Sequence, residues 1–187
     1  MSGLFALLFW GWTASEILLQ VVARTSRSSG QVKDRGSLLL LLPIIFGSIW
    51  LSFWYAGQYP RTMPGGAHWL KMAAIILLVA GLAIRWTAIF SLGRSFSTNV
   101  AIHPTQTVHR TGLYSWVRHP SYTGMLLIFA AIGINARNWV SLAIMLTFPT
   151  AALLYRIHVE EMALTDAFGE DYVNYTRTTK RLLPGLY

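Results

Sequence analysis

Three stretches of this chain, residues 4–23, 37–57 and 69–90, run for twenty or so residues with at most two charges in each. A helix needs roughly 20 apolar residues to cross the ~30 Å hydrocarbon layer of a bilayer, and each stretch supplies that length. A fourth apolar region, 121–157, is too long for one crossing. Its main polar interruption, at 135–138, reads as a tight turn that folds 121–136 and 139–157 into a helical hairpin. The expectation is an all-α, polytopic membrane protein with about five transmembrane helices, the fourth the shortest.

Composition supports that solvent. Of 187 residues, 54% are hydrophobic and only 12% charged, about half the charge of an ordinary soluble domain. Such a chain has too little polar surface to cover itself in water. The net charge of +8 does not indicate nucleic acid, because the basic residues lie between apolar runs instead of alternating with stacking aromatics. Without cysteine there is no disulfide, thiolate metal site or cysteine nucleophile. His103, His109, His119 and His158 lack the spacing of a zinc helix, so no metal is expected. The first apolar run does not read as a cleavable leader, since no Lys or Arg precedes it and Glu16 interrupts it.

Basic residues orient the chain. Eleven Lys and Arg fall on one side: Arg24, Arg27, Lys33 and Arg35 in the first loop, Arg94, Arg110 and Arg118 in the third, and Arg156, Arg177, Lys180 and Arg181 in the tail. Arg61, Lys71 and Arg137 face the other side. The expected arrangement has the N-terminus out and the C-terminus cytoplasmic. With no internal repeat or low-complexity linker, residues 1–187 read as a single membrane domain, with a polar loop at 91–120 and a tail at 158–187. Trp10, Trp12, Trp50, Trp54, Trp69 and Trp139 read as interfacial anchors. Gly169 breaks the last long helix, and Phe168, Tyr172 and Tyr175 share one face of a short amphipathic helix beyond it.

Chemistry concentrates in that loop and tail. Pro120 suits the first turn of a helix, which sets Arg118 and His119 just before a helix N-terminus, an arrangement that favours an anion. Arg156 and Glu160 stand four residues apart on one helix face, where they can pair; Glu161 and His158 lie nearby. The plain alternatives are a snorkelling arginine with an interfacial histidine, and a surface ion pair. Titratable groups converging at the lipid–water boundary would suit a water-soluble cofactor meeting a lipophilic substrate. Glu16 and Arg85, the charges placed deepest in spans, are expected to pair with each other, with a role in a substrate tunnel as the alternative.

The segments LGRSFS, GLYSWVRHPSYTG and RIHVEEMALTDAFGEDYVNYTRTTKRLLP resemble the isoprenylcysteine carboxyl methyltransferases and their prokaryotic relatives, over roughly residues 80–187. The resemblance implies a multi-pass membrane enzyme, in the inner membrane if prokaryotic, that takes S-adenosylmethionine as cofactor. Its acceptor would be a lipophilic small molecule or a prenylated substrate drawn from the membrane lipid. By position, Gly112, Tyr114, His119, Pro120 and Tyr122 would line the cofactor pocket with Gln106, Val108 and His109. Arg118 and Glu161 would support it, and Arg156 and Glu160 would form the reaction centre. One departure stands out: the family reads His-x-Leu-Val before the glycine, and this chain has Gln106-Thr107-Val108-His109. Gln106 can hydrogen-bond but cannot become cationic. Methyl transfer to a carboxylate needs alignment more than acid or base, with Arg156 holding the anion. For an amine or thiol acceptor, Glu160 or His158 would be the base. Two other classes stand as alternatives: an NADPH-dependent sterol-type membrane reductase using Arg94 and Arg110, and a non-catalytic membrane scaffold.

Overall fold

The computed structural model describes residues 3–22, 31–32, 36–59, 62–64, 66–98, 101–102 and 106–185. Arg24, Arg27, Lys33, Arg35, Arg61 and His103, and the side chain of Arg94, lie outside the described residues. Among the described residues six α-helices carry the fold: α1 (Gly3–Val22), α2 (Ser37–Gln58), α3 (Ala67–Leu92), α4 (Pro120–Asn135), α5 (Trp139–Phe168) and α6 (Glu170–Thr178). A two-residue antiparallel ladder, β1 (Gln31–Val32) with β2 (Ala101–Ile102), ties the first loop to the third.

Four helices among the described residues, α1, α2, α3 and α5, are long and apolar enough to cross a membrane. The fourth expected span, α4, has 16 residues, or about 24 Å, short of the ~30 Å hydrocarbon layer. It is also the most enclosed helix: Ile128, Phe129, Ala131 and Ile132 have no exposed surface. By contrast α5, with 30 residues, reaches about 45 Å, so its last turns carry Arg156, Glu160 and Glu161 toward the polar side.

Lipid is as apolar as leucine, so burial alone does not drive these helices together; close backbone approach and polar contacts do. Between α3 and α4 the approach is glycine on glycine. A Cβ on Gly81 would sit 2.6 Å from the Gly124 carbonyl oxygen, and one on Gly124 would sit 2.6 Å from that of Gly81 and 2.8 Å from the Arg85 nitrogen. At the α2–α5 crossing the Ser141 hydroxyl donates to the Ser52 carbonyl at 2.8 Å. The α4–α5 turn is fixed by Asn138, whose side chain accepts from the Val140 and Ser141 amides and donates to the Tyr59 carbonyl. That is the N-cap a helix start requires, and it pins the end of α2 to the hairpin.

Tryptophans Trp10, Trp50, Trp54, Trp69 and Trp139 are exposed, as anchors would be, but Trp12 is a correction. It is buried against Phe129, ring centroids 6.4 Å apart, and donates to Glu16 at 3.0 Å. Gly169, at φ 54, separates α5 from α6 as expected, and α6 lays Tyr172 and Tyr175 inward. Past α6 the chain returns as a strap. The Arg118 amide donates to the Lys180 carbonyl (2.7 Å), the His119 amide to that of Arg181 (3.0 Å), and the Thr123 hydroxyl to that of Leu182 (2.7 Å).

Candidate functional site

Pro120 begins α4, and the residues on either side of it split toward two jobs. Arg118 turns to the strap: Nε donates to Glu161 Oε1 at 2.9 Å, and Nη1 reaches the carbonyls of Thr176 and Thr179. Arg181 approaches the other oxygen of Glu161 at 2.8 Å. Glu161 therefore sits between two guanidinium groups and clasps the tail to the loop. His119, 5% exposed, stands between the paired glutamates, its Nε2 3.3 Å from Glu161 and its Nδ1 3.9 Å from Glu160. Its ring stacks on Tyr122, centroids 5.6 Å apart.

On the other face of α5, about 100° round from Glu161, Arg156 and Glu160 are joined through a third group. Arg156 Nε donates to the Tyr122 hydroxyl at 3.0 Å, and that hydroxyl donates to Glu160 Oε2 at 2.8 Å. Arg156 Nη1 donates to Ser37 Oγ at 2.9 Å and Nη2 to the Thr98 carbonyl. Elements α2, α4 and the third loop thus fix one guanidinium plane from three sides, at 4% exposure. His158 is exposed on the outer side of α5 and does not join this group.

A cavity runs past these residues. Gln106, Thr107, Val108, His109, Tyr114, Arg118 and His119 line it from the third loop, together with Tyr172 and Tyr175 of α6. Leu38, Leu41, Leu42, Ile45 and Phe46 of α2 give it an apolar wall, and Trp12, Thr13, Glu16 and Gln20 of α1 line it as well. Tyr122, Arg156 and Glu160 share the same lining. Of the residues expected at the site, Gly112, Pro120 and Glu161 are not on the cavity wall; Pro120 and Glu161 shape the edge that carries His119.

Glu16 and Arg85 pair, as the cost of charge in a membrane requires. Arg85 Nε and Nη2 face the two carboxylate oxygens, and Nη1 donates to Ser121 Oγ at 2.7 Å. The pair also lines the cavity. Arg110, a candidate phosphate clamp, is engaged with Asp171 at the surface.

Tyr172 was legible only as packing. Its hydroxyl is buried without a hydrogen-bond partner within the protein, in a residue that lines the cavity, so it is available to a polar ligand there. Burial, the largest influence, pushes the Tyr114 and Tyr172 phenols upward; it raises Tyr175 to about 12, against the pull of Arg118 and Arg110. All three stay neutral donors at physiological pH. Polar side chains, neutral phenols and the His109–Tyr114 ring pair, centroids 5.1 Å apart, suit a nucleoside carrying an amino-acid tail, so the residues present fit S-adenosylmethionine.

Residues 74–166 match the model of the isoprenylcysteine carboxyl methyltransferase (ICMT) family. The protein-S-isoprenylcysteine O-methyltransferase of Rattus norvegicus is 30% identical over 128 residues, covering 62% of this chain and 42% of the rat protein. Isoenzyme A of Arabidopsis thaliana is 30% identical over 120 residues, covering 62% and 60%. An uncharacterized Bacillus subtilis protein, YpbQ, is 31% identical over 98 residues, covering 52% and 57%. The chain thus spans between two fifths and three fifths of these relatives. The solved structure of the eukaryotic intramembrane Ras methyltransferase ICMT superposes with a TM-score of 0.63 at 25% identity, covering 78% of this chain and 52% of that one. The long apolar helices are those of a multi-pass integral membrane protein. The matched segment holds α4, the Arg156–Tyr122–Glu160 relay and most of α3 and α5, and the chain belongs to the isoprenylcysteine carboxyl methyltransferase family.

Proposed function

We propose that this protein transfers a methyl group from S-adenosylmethionine to the carboxylate of a lipophilic, isoprenylcysteine-like acceptor at the membrane boundary. The observation that carries this reading is one cavity whose lining brings the polar third loop, the apolar face of α2 and the linked Arg156, Tyr122 and Glu160 together. When bound, S-adenosylmethionine supplies a methyl group activated by its sulfonium, and an acceptor that is already an anion needs no proton removed.

The residues then have to hold and align. Arg156 offers the acceptor carboxylate a fixed cation, its plane set by Tyr122, Ser37 and Thr98. Glu160 holds the Tyr122 hydroxyl, and through it the orientation of Arg156. Gln106, Val108, His109, Tyr114, His119 and Tyr122 bind the cofactor, while Arg118 and Glu161 keep that edge in place through the strap. The α2 wall takes the hydrocarbon. In this reading 1–187 is one membrane domain in which α4 completes the crossing count at five, with the N-terminus out and the site on the cytoplasmic face.

Calorimetric titration of the detergent-purified protein with S-adenosylhomocysteine, with NADPH in parallel, tests the reading. Saturable binding of the first alone is expected. Binding of NADPH alone would make the protein a reductase, and binding of neither by a folded sample would leave a scaffold.

A further inference from the structure

Charge is unevenly distributed along this chain. All seven side-chain carboxylates lie within residues 16–34 or 160–171, so the third loop, 91–120, and the tail beyond Asp171 carry none. Both carry cations: Arg94, Arg110 and Arg118 in the loop, and Arg177, Lys180 and Arg181 in the tail. Of these, Arg110, Arg118 and Arg181 are engaged with Asp171 or Glu161. The side chains of Arg177 and Lys180 are exposed, and Arg177 reaches the neutral Asn174 side chain at 3.3 Å.

Neighbouring residues set the depth of these two cations in the bilayer. With 26 residues and about 39 Å, α3 overreaches the ~30 Å hydrocarbon layer, so its last turn lies at headgroup level. The loop is held there, the Tyr114 hydroxyl donating to the Ala88 carbonyl at 3.4 Å. Close by in sequence to these partners, Trp116 is 69% and Phe90 73% exposed. Val117 turns inward and bridges to Lys180, and the strap runs on to the first turn of α4. Along it, Thr179 and Leu182 are buried while Lys180 and Leu183 are exposed. An indole, an aliphatic side chain and a lysine presented outward at this depth make an interfacial anchor whose cation reaches the headgroups.

We propose that Trp116, Arg177, Lys180 and Leu183 form a site for an anionic phospholipid, and that this lipid holds the strap on the cofactor loop. The complete site exists only with the strap docked, because Trp116 comes from the loop and the cations from the tail. The lipid therefore favours the docked state through its differential affinity for it. Docking in turn gives the Arg118 and His119 amides their acceptors. The lipid site stands on the strap geometry, and its effect on the cofactor rests on the methyltransferase reading above.

The test compares the full chain in nanodiscs of phosphatidylcholine alone with discs containing about one quarter phosphatidylglycerol. Hydrogen exchange at the Arg118 and His119 amides reports docking without any cofactor. S-adenosylhomocysteine, which has no net charge and is not itself drawn to an anionic surface, reports the consequence. At low salt the anionic discs are expected to slow exchange and tighten S-adenosylhomocysteine binding, each at least about threefold. Raising the salt to about 0.5 M should erase both differences. Arg177→Gln/Lys180→Gln, which keeps the carbonyls of the strap, is expected to bring both ratios to within about 1.5-fold. Equal exchange in the two discs overturns the site, as does a double variant that keeps the wild-type ratios. Slowed exchange with equal affinity overturns the coupling to the cofactor. Slowed exchange with no S-adenosylhomocysteine binding in either disc supports the lipid site and overturns the methyltransferase reading.

Discussion

Tyr122 does more than its place in the Arg-His-Pro-x-Tyr motif suggested. The family resemblance put it among the cofactor contacts, and its hydroxyl is the link between Arg156 and Glu160. Tyr122→Phe keeps the ring that stacks on His119 and deletes the link. Turnover is expected to fall about 10- to 100-fold, or roughly 1.4–2.7 kcal/mol of barrier, while S-adenosylhomocysteine affinity stays within about threefold of wild type. An equal loss in both would return the residue to cofactor binding. Removing the ends of the relay costs more. Arg156→Ala and Glu160→Gln are each expected to lower kcat/KM at least about 100-fold in a labelled-methyl assay, and turnover within twofold of wild type would displace the reaction centre. The i,i+4 spacing of Arg156 and Glu160 was visible in the sequence because a helix has one geometry. The intervening hydroxyl was not, since it arrives from another helix 34 residues away in the chain.

Helix crossings were the least legible part of the fold. A membrane helix that packs through small residues often announces it by glycines four apart, and this chain has no such pair. Instead Gly81 and Gly124 come from different helices and meet only when α3 and α4 are already side by side. Two isolated glycines 43 residues apart carry no periodicity to read. Charge was more informative than size: Glu16 and Arg85 were paired in advance because lipid leaves few alternatives. Gly124→Ala would place a methyl group 2.6 Å from the Gly81 carbonyl oxygen. The expected result is a loss of about 1–3 kcal/mol from overpacking, read as a lower midpoint of thermal unfolding in detergent. Gly47→Ala in α2, whose added Cβ meets nothing within 4 Å, should leave the midpoint in place. Equal midpoints for the two variants would mean that the α3–α4 contact yields freely.

At the scale of the whole molecule, the proposed cofactor edge belongs to two distant parts of the chain. Arg118 and His119 were legible as a charged pair before a helix. Their backbone amides go to Lys180 and Arg181, and no sequence pattern marks such bonds, because any residue supplies a carbonyl. Deleting residues from Thr179 onward should leave the long helices in place, with nearly unchanged far-ultraviolet circular dichroism. Affinity for S-adenosylhomocysteine should fall at least about 100-fold, since the amides and Glu161 lose buried partners. Arg181→Ala, which takes one guanidinium from Glu161, should weaken binding less. Retained affinity in the deletion would show that the loop holds its shape unaided.

The strap also sets a clock. Val117 and Lys180 form a parallel bridge, yet about 60 residues separate them, which a ribosome adds in roughly 3–12 s at 5–20 residues per second. During that interval α4 and most of α5 have emerged and can enter the bilayer, while the Arg118 and His119 amides still lack their partners. A nascent molecule is therefore housed in the membrane before the proposed cofactor edge is complete, and a chain released early would stay there, inserted and without that edge.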